Sequence, residues 1–111
     1  MTDRAVELEQ FRTDLREFAE QTPAIEGFLD YVESAEEPET LDRTTKELLS
    51  LAIGVVLRCE PCILWHTAAA LDAGATAEEI DDALKVAVVM GGGPALAYAT
   101  KARQVRRDLA E

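Results

Sequence analysis

The sequence predicts an all-α fold, and three features carry that expectation. Apolar residues recur at steps of three and four along most of the chain, no segment alternates convincingly with a period of two, and helix-punctuating motifs stand at the ends of the periodic runs. Composition agrees: 48% of the 111 residues are hydrophobic and only 5% aromatic, so Ala, Leu and Val must do most of the packing. Such a composition favours helices over strands.

Six helices are expected. The first spans Asp3 to Glu20, where Leu8, Phe11, Leu15 and Phe18 form one apolar stripe. Thr22 followed by Pro23 reads as a second start, because proline suits a first turn whose amides lack partners in any case. Ile25, Phe28, Leu29 and Val32 supply the buried face of this short helix, which should end in the acidic loop "SAEEPET". From Leu41 or Asp42 a third helix carries "RTTKELLSLAIGVVLR", polar at its start and almost wholly apolar afterwards, which predicts burial on all sides. Pro61 stops it, since the residue before a proline is pushed out of the helical region. A fourth helix then begins near Glu60 or Pro61 and ends at Gly74. "TAEE", residues 76 to 79, is a capping box that opens a fifth helix with Ile80, Ala83, Leu84, Ala87 and Val88 on one face. "GGGP", residues 91 to 94, separates it from a sixth, running from Pro94 to about Leu109. There Ala95, Ala99 and Ala102 permit close approach of a neighbouring helix. The glycine run lacks the Lys and Ser/Thr of a phosphate loop and the spacing of a dinucleotide fingerprint, so it reads as a helix-breaking turn.

Length suggests one domain over residues 1–111. With 22 acidic residues against 11 basic ones, the formal net charge is −11, and such a surface repels nucleic acid and anionic membranes. The only lysines are Lys46, Lys85 and Lys101. This acidic, lysine-poor pattern fits either a high-salt habitat, where self-repulsion is screened, or an ordinary acidic cytosolic protein. The basic cluster "KARQVRRD" reads as a complement to the end of a helix dipole, not as a nucleic-acid site. "MTDRAVELEQ" shows no apolar run behind a basic segment, and "LLSLAIGVVL" at residues 48 to 57, read as the longest weakly charged stretch, is too short to span a bilayer. A cytoplasmic location without a membrane partner is therefore expected. In that compartment two close cysteines point to redox, catalytic or metal chemistry before a structural staple.

Residues 59 to 66, "CEPCILWH", hold both cysteines and the only histidine. Cys59, Cys62 and His66 stand at i, i+3 and i+7, steps that return to nearly one azimuth on a helix. Pro61 places Cys59 just before the helix and Cys62 in its first turn, where unpartnered amides and the helix dipole stabilise a thiolate. His66 lies one turn further on, positioned as base or proton shuttle. Thiolates in such settings attack disulfides and peroxides, and a second thiol within reach resolves the sulfenic acid or mixed disulfide. Two alternatives stay open on the residues alone. Zinc would find three ligands here where a closed structural site takes four, and no second Cys or His pair exists. Plain packing is the other, since cysteine is a good small core residue. Trp65 either shields the thiols, joins an interface or is plain core.

Extending the motif backwards adds Glu47, twelve positions before Cys59, and "AAALDAGATAEEIDDALKVAVVMGGGPA" follows His66. This pattern closely resembles the AhpD-like branch of the carboxymuconolactone decarboxylase family over about residues 40 to 100, and the Glu/Cys/Cys/His spacing is its specific part. The resemblance implies an AhpD-like helical bundle assembled as a homo-oligomer, a trimer or hexamer, with thiol-dependent peroxidase or disulfide reductase chemistry. It implies that Cys62 passes through sulfenic acid, that Cys59 donates a proton and closes the disulfide, and that Glu47 and His66 form the proton relay. The best-known members carry a histidine directly before the second cysteine; Pro61 stands there in this chain, which favours dithiol exchange over peroxide turnover. On one straight helix Glu47 would lie roughly 18 Å from Cys59. It can approach His66 only if the fourth helix folds back along the third, and then through water.

The expected protein is thus a small redox oligomer that cycles a Cys59/Cys62 dithiol and needs no bound metal or organic cofactor. Electrons would come from a thioredoxin-like or lipoyl-bearing dithiol protein and leave to a peroxide or disulfide. Two rival readings are a lyase acting on a lactone acid, like the family's namesake, and a non-enzymatic oligomeric module whose cysteine pair packs or holds metal.

Overall fold

The computed structural model describes residues 2–110. Five helices build it: α1 (Asp3–Gln21), α2 (Pro23–Glu36), α3 (Arg43–Val56), α4 (Glu60–Asp72) and α5 (Ala77–Ala110), with no strand among the described residues. The helix starts follow from local chemistry. The Asp42 carboxylate accepts from the Thr45 amide at 2.8 Å and opens α3. Hydrogen bonds from Thr45, side chain and then backbone, hold the Asp42 carboxyl below its ordinary value. At the start of α5 the capping box closes in both directions, with the Thr76 amide donating to Glu79 Oε1 at 2.8 Å and the Glu79 amide to Thr76 Oγ1 at 3.0 Å.

The expected fifth and sixth helices are two arms of one bent helix. Gly92 sits at φ 67°, ψ −150°, a conformation that is essentially glycine-only, and the hydrogen-bonded spiral resumes beyond it through Pro94. Both arms face inward with small residues. Ile80, Leu84 and Ala87 from the first, and Ala95, Ala99, Ala102 and Val105 from the second, are buried against α3 and α4. Leu51 and Val55 of α3 and Ile63 of α4 complete the centre. The hairpin of α1 and α2 packs on this three-helix core through Leu8, the one buried hairpin residue that joins the core cluster.

Four expectations change. First, α3 is apolar all round but buried on one side only: Leu49 and Ile53 are exposed, because α4 and α5 cover a single face. Second, α2 has no fully buried residue, Phe28 and Phe18 are exposed, and Ile25, Leu29 and Val32 are half-buried. The hairpin touches the core along one edge, which leaves a trough between it and α4. Third, the chain's longest uncharged run is residues 86 to 100 inside α5, not residues 48 to 57. By length and composition alone α5 could cross a membrane; here it is bent at Gly92 and both arms contribute to the core. Fourth, the basic residues near the C-terminus pair sideways. Lys101 meets Glu60, and Arg103 and Arg106 flank Asp81, so only Arg107 remains in the last turn of α5.

Candidate functional site

The motif is assembled by the turn between α3 and α4. α3 ends with Arg58 in the left-handed region at φ 58°, and two backbone bonds close the turn: Arg58 N–H to the Val55 carbonyl at 3.1 Å and Cys59 N–H to the Gly54 carbonyl at 3.0 Å. This is a Schellman arrangement with arginine where glycine is usual. A non-glycine residue in that conformation costs roughly 1–2 kcal/mol. The turn delivers Cys59 directly to the N-cap of α4, and Pro61 follows in the first turn.

Cys59 and Cys62 are joined in a disulfide with their Cα atoms 5.2 Å apart. The Cys62 amide donates to Cys59 Sγ at 3.2 Å, so the sulfur of Cys59 acts as the helix cap. Here the geometry differs from the sequence reading, which gave the helix-terminal amide and dipole to Cys62. A side chain at the cap position, not one inside the first turn, lies over the free amides. Cys62 instead faces α3 at close range. A Cβ added to Gly54 would stand 3.0 Å from the Cβ of Cys62, tighter than ordinary contact. A glycine inside a helix costs about 1 kcal/mol relative to alanine, so its presence in "LLSLAIGVVL" was the one sequence signal of this close approach. We expect Gly54→Val to force α3 and α4 apart, lowering stability by about 1–3 kcal/mol. That corresponds to a fall of roughly 4–20 °C in the unfolding midpoint by calorimetry. An unchanged midpoint would show that the contact is not tight.

α4 runs back along α3, pinned at its far end by Thr44 Oγ1 donating to the Ala73 carbonyl at 3.0 Å. Between that pin and the Gly54 contact, Glu47 and His66 meet. Glu47 Oε1 lies 2.7 Å from His66 Nδ1, a direct hydrogen bond where the sequence suggested a water bridge. Glu47 is only 3% exposed and its other oxygen, Oε2, lies 3.8 Å from an Arg43 nitrogen. Arg43 is a site neighbour the sequence analysis missed. All four predicted residues thus fall on the facing sides of two adjacent helices and the turn between them.

An apolar groove of about 380 Å3 lies over this site. Cys59, Cys62 and His66 form its reactive wall, with Phe11, Phe28 and Val32 of the hairpin opposite. Trp65 also lines it, edge-on to Phe11 at 5.9 Å between ring centres and covered by the Arg12 guanidinium at 5.3 Å. Those contacts tie α1 to α4 and place Trp65 in the groove wall beside the cysteines. A larger and more open depression, about 980 Å3, lies between the start of α1 and Asp108 and is lined by no cysteine or histidine. Among the described residues no three His, Cys, Asp or Glu side chains gather into a metal-ligating cluster.

Comparison with known proteins bears on the family and the fold. A family model described as the carboxymuconolactone decarboxylase family matches residues 23–104, more than the 40 to 100 from which the resemblance was read. An uncharacterized protein of Cupriavidus necator is 37% identical over 82 residues, 74% of this chain and 73% of its own length. An uncharacterized protein of the cox locus of Paracoccus denitrificans is 43% identical over 69 residues, 62% of each chain. Among solved structures, an apo carboxymuconolactone decarboxylase family protein of Legionella pneumophila superposes with a TM-score of 0.91 at 32% identity, covering 97% of both chains. A member of the same family from Thermotoga maritima, for which a part in the antioxidative response has been suggested, gives 0.87 at 31% identity, covering 94% of this chain and 90% of its own.

Proposed function

The chain belongs to the carboxymuconolactone decarboxylase family, and from that premise we propose that it is a thiol-dependent oxidoreductase cycling Cys59 and Cys62 between dithiol and disulfide. One observation carries the reading: a disulfide at a helix N-terminus, in the wall of an apolar groove that also holds a histidine anchored by a buried carboxylate. In the reduced protein His66 takes the Cys62 proton, and the Cys62 thiolate attacks. With a peroxide, the O–O bond breaks, an alcohol leaves and Cys62 becomes a sulfenic acid; the Cys59 sulfur then attacks it, releasing water and forming the disulfide. With a disulfide substrate, Cys62 forms a mixed disulfide and Cys59 displaces the second thiol. Two electrons pass to the substrate in either case, and a thioredoxin-like or lipoyl-bearing dithiol protein returns them.

The Cys62 amide helps at both ends of the cycle. It stabilises negative charge on Cys59, which makes Cys59 a ready resolving thiolate and, when the reductant attacks Cys62, the better leaving group. Such a cycle suits the reducing cytosol. Intact mass and thiol titration of the reduced protein before and after one equivalent of organic hydroperoxide test the proposal. Loss of two hydrogens and of both free thiols is expected, and unchanged thiols would reject it.

A second reading is favoured by the Glu47–His66 pair, which is an acid–base couple that requires no thiol. A lyase acting on a lactone acid would keep its activity when both cysteines are replaced.

The same reading includes self-association. Leu49 and Ile53 on α3, and Val86, Val89 and Met90 on α5, are exposed apolar side chains, with Val89 80% exposed. A trimer or hexamer of this chain would cover them. Sedimentation is expected to show no folded monomer at micromolar concentration. With a charge of −11 per chain, the unfolding midpoint should rise from dilute to molar potassium chloride as repulsion between subunits is screened. A flat salt response would leave the acidity without this role.

A further inference from the structure

Arg43 occupies the first position of α3, the end of a helix where the dipole disfavours a cation. Its surroundings explain the placement. One terminal nitrogen lies 3.8 Å from Glu47 Oε2 and the other 4.0 Å from Glu37 Oε1. Glu47 stands one turn further along the same helix, its side chain 4% exposed, while that of Arg43 is 43% exposed. Arg43 therefore reaches from the surface to the free oxygen of a carboxylate whose other oxygen is committed to His66 Nδ1.

We infer that Arg43 is a positioning residue for the redox site: by holding Oε2 of Glu47 it keeps Oε1 on His66 Nδ1, and that acceptor fixes His66 in the tautomer that can accept a proton. The inference rests on the proposed thiol cycle only for its effect on rate. A carboxylate oxygen accepts, so a neutral His66 bonded to Oε1 through Nδ1 carries its proton there and leaves Nε2 bare as the base. Without the guanidinium, Oε2 loses that contact and the carboxylate is free to turn away from the ring. A ring released from that acceptor is no longer held with its proton on Nδ1; with the proton on Nε2 the base would be lost. Arg43 acts through Glu47 and does not line the groove.

His66 is the chain's only histidine, so its ring nitrogens can be read without assignment ambiguity. The test compares the wild type with Arg43→Gln, Arg43→Lys and Glu37→Gln by 15N NMR of the imidazole, at a pH where the ring's own titration shows it neutral. Wild type, Arg43→Lys and Glu37→Gln should show a protonated Nδ1 and a bare Nε2. Arg43→Gln should show a substantial share of the opposite tautomer. In the same set, only Arg43→Gln should slow the reaction of the reduced protein with organic hydroperoxide or disulfide, by about fivefold, the scale of a partly exposed ion pair. Because Arg43 is exposed, these variants leave the core intact, which an unchanged unfolding midpoint verifies. Identical imidazole spectra in wild type and Arg43→Gln would overturn the inference whatever the rates. A wild type without thiol reactivity would end the redox proposal instead, and the spectra would still decide whether Arg43 sets the tautomer.

Discussion

Cys62→Ser is expected to react with neither peroxide nor disulfide, whereas Cys59→Ser should react once and stop. The two cysteines are three residues apart and equally part of the groove wall, yet their surroundings differ. Cys59 is the helix cap, and its sulfur already accepts the Cys62 amide. A thiolate stabilised in that way leaves readily but is a weaker nucleophile. In the proposed cycle Cys62 has His66, one helical turn further along, as its proton acceptor, and the resemblance to the family implies the same first step. Serine at position 59 remains a good cap, so α4 should start normally in Cys59→Ser and the variant should stay folded. The first attack there proceeds and leaves a sulfenic acid or mixed disulfide on Cys62 that nothing resolves. In Cys62→Ser the attacking thiolate itself is gone, so reaction at position 62 should be undetectable. Trapping with a sulfenic-acid probe and peptide mass mapping reads the outcome. Label on Cys59 in Cys62→Ser, with none on Cys62 in the reciprocal variant, would exchange the two roles. Full activity in both variants would remove the dithiol mechanism.

Much of this site was legible before any coordinates. The all-α class, the capping box and the break at the glycine run all follow from local rules, because each depends on residues within one or two turns of each other. So does the start of α4 at Pro61. The spacing of Cys59, Cys62 and His66 likewise lies within a single helix. What the sequence hid depends on how α3 and α4 lie against each other. From the sequence Glu47 reaches His66 only through water, and the antiparallel packing closes that gap to 2.7 Å. The role of Gly54 needs Cys62 from the next helix to be visible, and Arg43 gains meaning only once Glu47 is known to be buried. The exposed side of α3 was misjudged for the same reason: apolarity shows that a surface wants cover, not that this chain supplies it.

The direct Glu47–His66 contact changes the ranking of the relay residues, and the change can be measured. A carboxylate one water away would tune the histidine weakly, so Glu47 substitutions would matter much less than loss of His66. A carboxylate bonded to Nδ1 instead orients the ring, fixes its tautomer and, in the proposed cycle, would stabilise the imidazolium formed as His66 takes the Cys62 proton. The two residues then work as one unit. His66→Ala is expected to slow attack by the reduced protein about a hundredfold or more, within the range ascribed to general bases. Glu47→Gln keeps the size of the side chain but not its charge and should slow attack by about tenfold or more, closer on a logarithmic scale to His66→Ala than to wild type. The decisive comparison is the double variant. Because Glu47 acts on the reaction only through the imidazole, adding Glu47→Gln to His66→Ala should produce no further loss, a plain departure from additivity between contacting residues. Stopped-flow rates of the four proteins with one hydroperoxide and one disulfide provide the cycle. Losses that simply multiply would mean that Glu47 reaches the reacting sulfur by a route that bypasses His66, and the relay as drawn would have to be abandoned.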